Sequence, residues 1–161
     1  MAKHKDSIYR KVETRMWTDR KFMALSPIPP CGQGLWMFLL TGPFTGPIPG
    51  LFHAGRMAMA EELNWELKDF DKAFHEVYQQ GMVKADWKNR LVWLPNALKY
   101  NPPASPKVVI GWKWEWDKLP DCQLKTEAFY SIKTALEALG EPFAKAFAKA
   151  FTIPFSKAMG I

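Results

Sequence analysis

The spacing of apolar residues changes character several times along this chain, and each change predicts an element. Between Pro47 and Pro95 the pattern is densest. The run Gly50-Leu51-Phe52 reads as a short strand, followed by a helix from Arg56 to about Leu63. Asn64 and Trp65 form a tight corner before a second helix, Glu66 to Gln80. Gly81 ends that helix, since a residue free to adopt positive φ suits the position just past a helix end. Two strand-like runs come next, Met82–Asp86 and Leu91–Leu94, joined at Lys88-Asn89-Arg90. Asn at such a corner tolerates the left-handed backbone a hairpin needs. Strand, helix, turn, helix and hairpin is the element order of a winged helix-turn-helix.

The second helix of this block is two-sided. At about 100° per residue, Leu67, Phe70, Ala73, Phe74, Val77 and Tyr78 share one face. Lys68, Lys72, His75 and Gln79 form a narrow stripe opposite, with Asp69, Glu76 and Asp71 beside it. An apolar back and a basic, amide-bearing front suit a helix presented to a duplex. An ordinary solvated face gives the same pattern. The expected core unites Leu51, Leu63, Phe70, Phe74, Val77 and Val92 with Leu35 and Leu39.

Around this block the periodicity predicts further helices. Tyr9–Met16 alternates loosely, as a short strand would. Asp19 or Thr18 caps a short helix, Arg20–Leu25, ended by Ser26-Pro27. Cys31–Leu40 is a helix with Leu35, Trp36, Leu39 and Leu40 inward, and Gly42-Pro43 stops it. Beyond the Pro- and Asn-rich connector 96–106, Ser105-Pro106 starts a helix reaching about Lys118. Gln123–Leu139 follows, with Gly140 at its end. From there Phe143, Phe147, Phe151 and Phe155 recur every four residues, interleaved with Lys145 and Lys149. As a helix this repeat offers a phenylalanine stripe to a membrane surface or a partner groove. The expectation here is a flexible or loosely helical low-complexity tail, 141–161, dispensable for folding and duplex binding. The domain plan is therefore 9–118 as the winged-helix unit, 119–140 as an appended helix, and the tail. The expected fold class is α+β, mostly α, with extra helices at both ends.

Composition sharpens this only in part. With 161 residues and eight tryptophans, one domain with a real core is expected. Net charge is +6, which permits a polyanionic partner. The charge is uneven: residues 1–25 and 82–118 each carry seven basic against three acidic residues, and 50–80 carry three against six. Cys31 and Cys122 lie far apart with no CxxC, so buried reduced thiols are expected. No apolar run long enough to cross a membrane and no signal core at the N-terminus argue for a soluble cytoplasmic protein without a membrane partner. No nucleotide, zinc, calcium or nucleophile-elbow motif occurs, and His4, His53 and His75 lack metal-ligand spacing. The chain reads as a non-enzyme, with no catalytic residues, metal or cofactor.

Three segments carry a family likeness. They are Trp17-Thr18-Asp19-Arg20-Lys21-Phe22-Met23-Ala24-Leu25-Ser26-Pro27, then Leu39-Leu40-Thr41-Gly42-Pro43 with Pro49-Gly50-Leu51-Phe52, and finally Leu91-Val92-Trp93-Leu94-Pro95-Asn96 with Lys99-Tyr100-Asn101-Pro102-Pro103. In order and spacing, over roughly residues 9–116, this resembles phage and prophage replication initiators, the replisome organisers of the replication-protein-O and DnaD type. The resemblance implies a winged-helix N-terminal domain that binds double-stranded DNA at a replication origin, in a protein that recruits the replicative helicase or its loader; a homo-oligomer is a separate expectation. It implies DNA contact through the second helix and the wing, here Lys68, Lys72, His75 and Gln79 with Lys84, Lys88 and Arg90. The basic segment around Arg10, Lys11, Arg15, Arg20 and Lys21 is the next candidate anchor. Trp17, Phe22, Trp36, Trp93 and Trp112 belong to the same likeness and are expected in the core. A winged-helix protein-interaction or oligomerisation module, or a transcription regulator, fits the same pattern.

Overall fold

The computed structural model describes residues 8–155. Over these residues the chain is α+β and mostly helical, with one antiparallel sheet of three strands. The strands β1 (Leu51–His53), β2 (Lys84–Asp86) and β3 (Leu91–Trp93) lie in the order β1-β3-β2. Ahead of the sheet come a 3-10 turn, Thr14–Thr18, and the helices α1 (Arg20–Met23) and α2 (Gly32–Thr41). Inserted between β1 and β2 are α3 (Arg56–Leu63) and α4 (Leu67–Gln79). After the sheet follow α5 (Ala97–Tyr100), α6 (Pro106–Gly111), α7 (Lys113–Lys118), α8 (Gln123–Ala138) and α9 (Glu141–Ala150).

The sheet is covered on both faces, and this organises the molecule. Leu51 stands opposite Trp93, and Phe52 opposite Val92. Side chains alternate along a strand, so the two pairs point to opposite faces. Phe52 and Val92 join Leu35, Leu39, Met59, Phe70 and Val77 in a core under α1–α4. Leu51, Leu91 and Trp93 join Trp112, Trp116, Phe129 and Phe147 in a second core under α6–α9. The single core expected from sequence is thus two, and Leu51 belongs to the other one. Leu63 and Phe74 pack at the margin of the first. Phe22, Trp93 and Trp112 are buried and Trp36 is half-buried, but Trp17 stands 65% exposed, edge-on to Phe22.

Several segments depart from the sequence pattern. Residues 9–13 form no strand, and the 3-10 turn occupies the end of that stretch. Residues 106–118 are divided at Trp112, whose N–H bonds back to the Val109 carbonyl. Nor do 119–140 form an appendage: α8 packs on β2 and β3, with Leu124, Ala128, Ile132 and Leu136 in the second core. The described part of the tail, 141–155, is no loose extension either. α9 lies along α6 and α8 and buries Ala146, Phe147 and Ala150, with Phe151 buried just beyond. Phe147 and Phe151 stack at 4.8 Å, and Trp116 is 4.8 Å from Phe151. Its indole N–H also donates to the Thr152 carbonyl at 3.0 Å. Phe143, Phe147 and Phe151 find their groove within the same molecule, while Phe155, beyond the helix, is exposed and Lys145 and Lys149 face solvent. Residues 156–161 of the expected tail lie outside the described residues.

One buried charge closes the second core. Lys125 is 4% exposed, yet its ammonium donates to the Leu119 carbonyl at 2.8 Å and to Asp121 Oδ1 at 3.0 Å. It also sits 4.7 Å from the Trp116 ring centre. Burial of a charge is tolerated where hydrogen bonds and a counter-charge replace water, and here both are present. Cys31 and Cys122 are buried thiols, and burial pushes the Cys122 thiol up from its ordinary value.

Candidate nucleic-acid interface

The corner between α3 and α4 sets the direction of α4. Asn64 takes a left-handed backbone, φ 59°, one of the few non-glycine residues able to do so at low cost. The Trp65 N–H then returns to the Ala60 carbonyl at 2.9 Å, closing the end of α3. α4 packs against α2 and α3 through buried Phe70, Ala73 and Val77. Its far end turns at Gly81, φ 71°.

With that face buried, the opposite stripe is committed to solvent. Lys68, Lys72, His75 and Gln79 are all exposed. Two of the three acids beside them are engaged elsewhere. Asp71 pairs with Arg56 at 2.6 Å. Glu76 accepts the Ser26 N–H and the Ser26 hydroxyl, both at 2.8 Å, tying α4 to the loop before α2. Their negative charge is therefore offset or turned from the stripe, and Asp69 is the acid that still stands beside it.

The β2–β3 hairpin is fastened to the base of α4. Its turn is built on Asp86, whose carboxylate accepts from the Asn89 side-chain amide and the Asn89 N–H, each at 2.9 Å. These bonds hold the Asp86 carboxyl below the usual carboxylate range. The left-handed residue of the turn is Arg90, φ 54°, and not Asn89, whose amide is spent on Asp86. Trp87 docks on α4, 4.8 Å from Phe74 and 6.3 Å from Phe70. The Arg90 carbonyl accepts the Ala54 N–H at 2.8 Å. Lys88 and Arg90 are exposed at this tip.

Lys84 does not join them. It stands opposite Trp93, on the sheet face away from α4, pairs with Glu127 of α8 at 3.1 Å, and lies 5.8 Å over the Trp93 ring. Strand alternation sends it there, so it stands apart from Lys88 and Arg90. Arg56 and Trp87 are the residues that sequence reading missed. A basic residue starting α3 and a tryptophan inside a turn were visible, but their partners lie across the fold.

Among the described residues no group of three or more His, Cys, Asp or Glu side chains is placed to hold a metal ion, and no helix is long and apolar enough to cross a membrane. Comparison with known protein families, curated proteins and solved structures finds no match.

Proposed function

We propose that this chain is a winged helix-turn-helix protein that binds double-stranded DNA, with α4 as recognition helix and the β2–β3 hairpin as wing. The observation that carries the reading is the solvent-facing stripe Lys68, Lys72, His75 and Gln79, set opposite the buried face of α4 and relieved of two of its acidic neighbours. The strand order supports it: β1 joins the returning strand of the hairpin, so the hairpin tip projects beside α4. Following the family likeness, the biological setting is phage or prophage replication, with origin binding by a replisome organiser and a helicase or its loader as downstream partner. A second reading rests on the acidic excess of 50–80, where Glu61, Glu62 and Glu66 are exposed. These suit a protein-facing or oligomerisation surface.

A duplex titration at two salt concentrations, with specific and random sequence, separates the readings. Each phosphate contact adds about 0.9 to the slope of log affinity against log salt. Lys88→Ala with Arg90→Asn keeps a residue able to take the left-handed backbone. It should lower the slope by about 2 and weaken all sequences alike. Gln79→Ala should leave the slope unchanged and narrow the gap between specific and random DNA, because an amide reads adenine edges and carries no charge. Lys84→Ala should change neither. Concentration-dependent self-assembly without duplex affinity establishes the second reading instead.

A further inference from the structure

A cavity of about 450 Å³ lies where the N-terminal segment crosses the end of α5. That crossing is fastened by a reciprocal pair: the Lys11 N–H donates to Asn101 Oδ1 at 2.7 Å, and the Asn101 amide donates to the Lys11 carbonyl at 3.4 Å. The volume falls within the range of pockets that hold a small organic group. Its wall is aromatic and apolar, with half-buried Trp36, half-exposed Tyr100 and Met16. Its rim is ionic, and its charges do not cancel. Glu13 is spent on Arg15 at 2.7 Å, and the Asp19 carboxylate caps α1 through the Lys21 and Phe22 N–H groups. Lys11 and Lys21 have no carboxylate partner among the described residues.

We propose that this cavity takes an unpaired nucleotide of a single-stranded nucleic acid, with the base against Tyr100 and Trp36 and the backbone phosphates at Lys11 and Lys21. The chemistry is that of a flat apolar ring carried on a polyanion. Aromatic faces stack any base, and a cationic rim tracks the backbone. Paired bases inside a duplex cannot enter such a pocket, so the site selects open strand. It is independent of the duplex reading, because it uses the N-terminal segment, α2 and α5 and none of the α4 stripe.

Fluorescence anisotropy with a labelled oligothymidylate of about 12 nucleotides tests it. The parent protein should bind this strand. Tyr100→Ala should weaken binding about 5- to 100-fold, the loss expected for one stacked base, and Tyr100→Phe should restore it. Lys11→Ala with Lys21→Ala should flatten the salt slope by about 1.4. Tyr100→Ala and Tyr100→Phe should bind duplex as the parent does, while Lys68→Ala with Lys72→Ala, which targets the α4 stripe, should leave strand affinity unchanged. These positions are solvent-accessible, and an unchanged melting curve confirms that each variant is folded. An abasic strand of equal length should bind at least about tenfold more weakly. The proposal is overturned if the parent does not bind the strand, if Tyr100→Ala binds it as well as the parent, if the abasic strand binds equally well, or if only free thymidine monophosphate binds.

Discussion

Gly50 and Gly81 both adopt positive φ, 74° and 71°, but they sit in different surroundings. A Cβ on Gly50 would lie 2.5 Å from the Ala97 Cβ and 2.8 Å from the Leu94 carbonyl oxygen, whereas nothing lies within 4 Å of one on Gly81. Left-handed backbone costs a non-glycine residue about 1–2 kcal/mol, and overpacking adds about 1–3 kcal/mol. Gly81→Ala should therefore cost about 1–2 kcal/mol and Gly50→Ala roughly 2–5 kcal/mol in denaturant unfolding. Equal losses would show that the Gly50 site relaxes freely. Asp86 makes a pH-dependent contribution. Because Asn89 lowers its folded pKa, the stabilisation is complete above the unfolded value of about 3.9 and disappears as pH falls through the folded one. Asn89→Ala should melt lower than the parent at pH 6, and the gap should close in acid, below about pH 4. A gap that is constant with pH would mean the turn does not depend on the ionised carboxylate.

At the scale of the element, α4 grades its phenylalanines by depth. Phe70 is fully buried, while Phe74 sits at the margin, stacked on Phe70 at 6.1 Å and under Trp87. Phe70→Ala should cost roughly 3–5 kcal/mol through lost transfer energy and the cavity left behind. Phe74→Ala should cost less, about 1–3 kcal/mol, since part of its surface is already wet and its neighbours can close over the gap. It has a second consequence, because Trp87 loses the surface that holds the hairpin against α4. Faster amide exchange at residues 87–90 in Phe74→Ala, with no matching change at residues 124–136, is the expected signature. Equal protection in both variants would detach the hairpin tip from this ring contact.

At the scale of the molecule, the sheet is a partition shared by two cores, and the chain after Lys118 supplies most of the second. Deleting from Glu141 removes Phe147 and Phe151 from the cluster around Trp116 and Phe129, and uncovers α6 and α8 together. Phe147→Ala alone should cost roughly 3–5 kcal/mol. The deletion should exceed any single substitution and leave little cooperative unfolding in a calorimetric scan. Because Leu51, Leu91 and Trp93 belong to that core, the damage should spread through the strands to Phe52 and Val92. A truncated chain melting at the parent temperature would show that the two cores are energetically separate.

Much of this was determined by the sequence alone, and it is the part set by neighbours along the chain. Three-to-four-residue spacing placed α2, α3, α4 and α8 to within a residue or two, and the steric freedom of Asn64 and Gly81 placed the bends at either end of α4. The exposed stripe of α4 was readable because one helix face determines the other. Tertiary structure decided what depends on residues far apart in sequence. Leu51 and Phe52 are both apolar, so alternation alone could not say that the sheet is covered on both sides. Ser26 and Glu76, fifty positions apart, meet only once α2 and α4 pack. The turn residue with positive φ is Arg90 because Asp86 captures the amide that would have favoured Asn89. A phenylalanine every four residues specifies a stripe but carries no information on what covers it. In the folded chain α6, α7 and α8 do, because Val109, Trp116 and Phe129 leave a hydrophobic surface that water would otherwise have to wet.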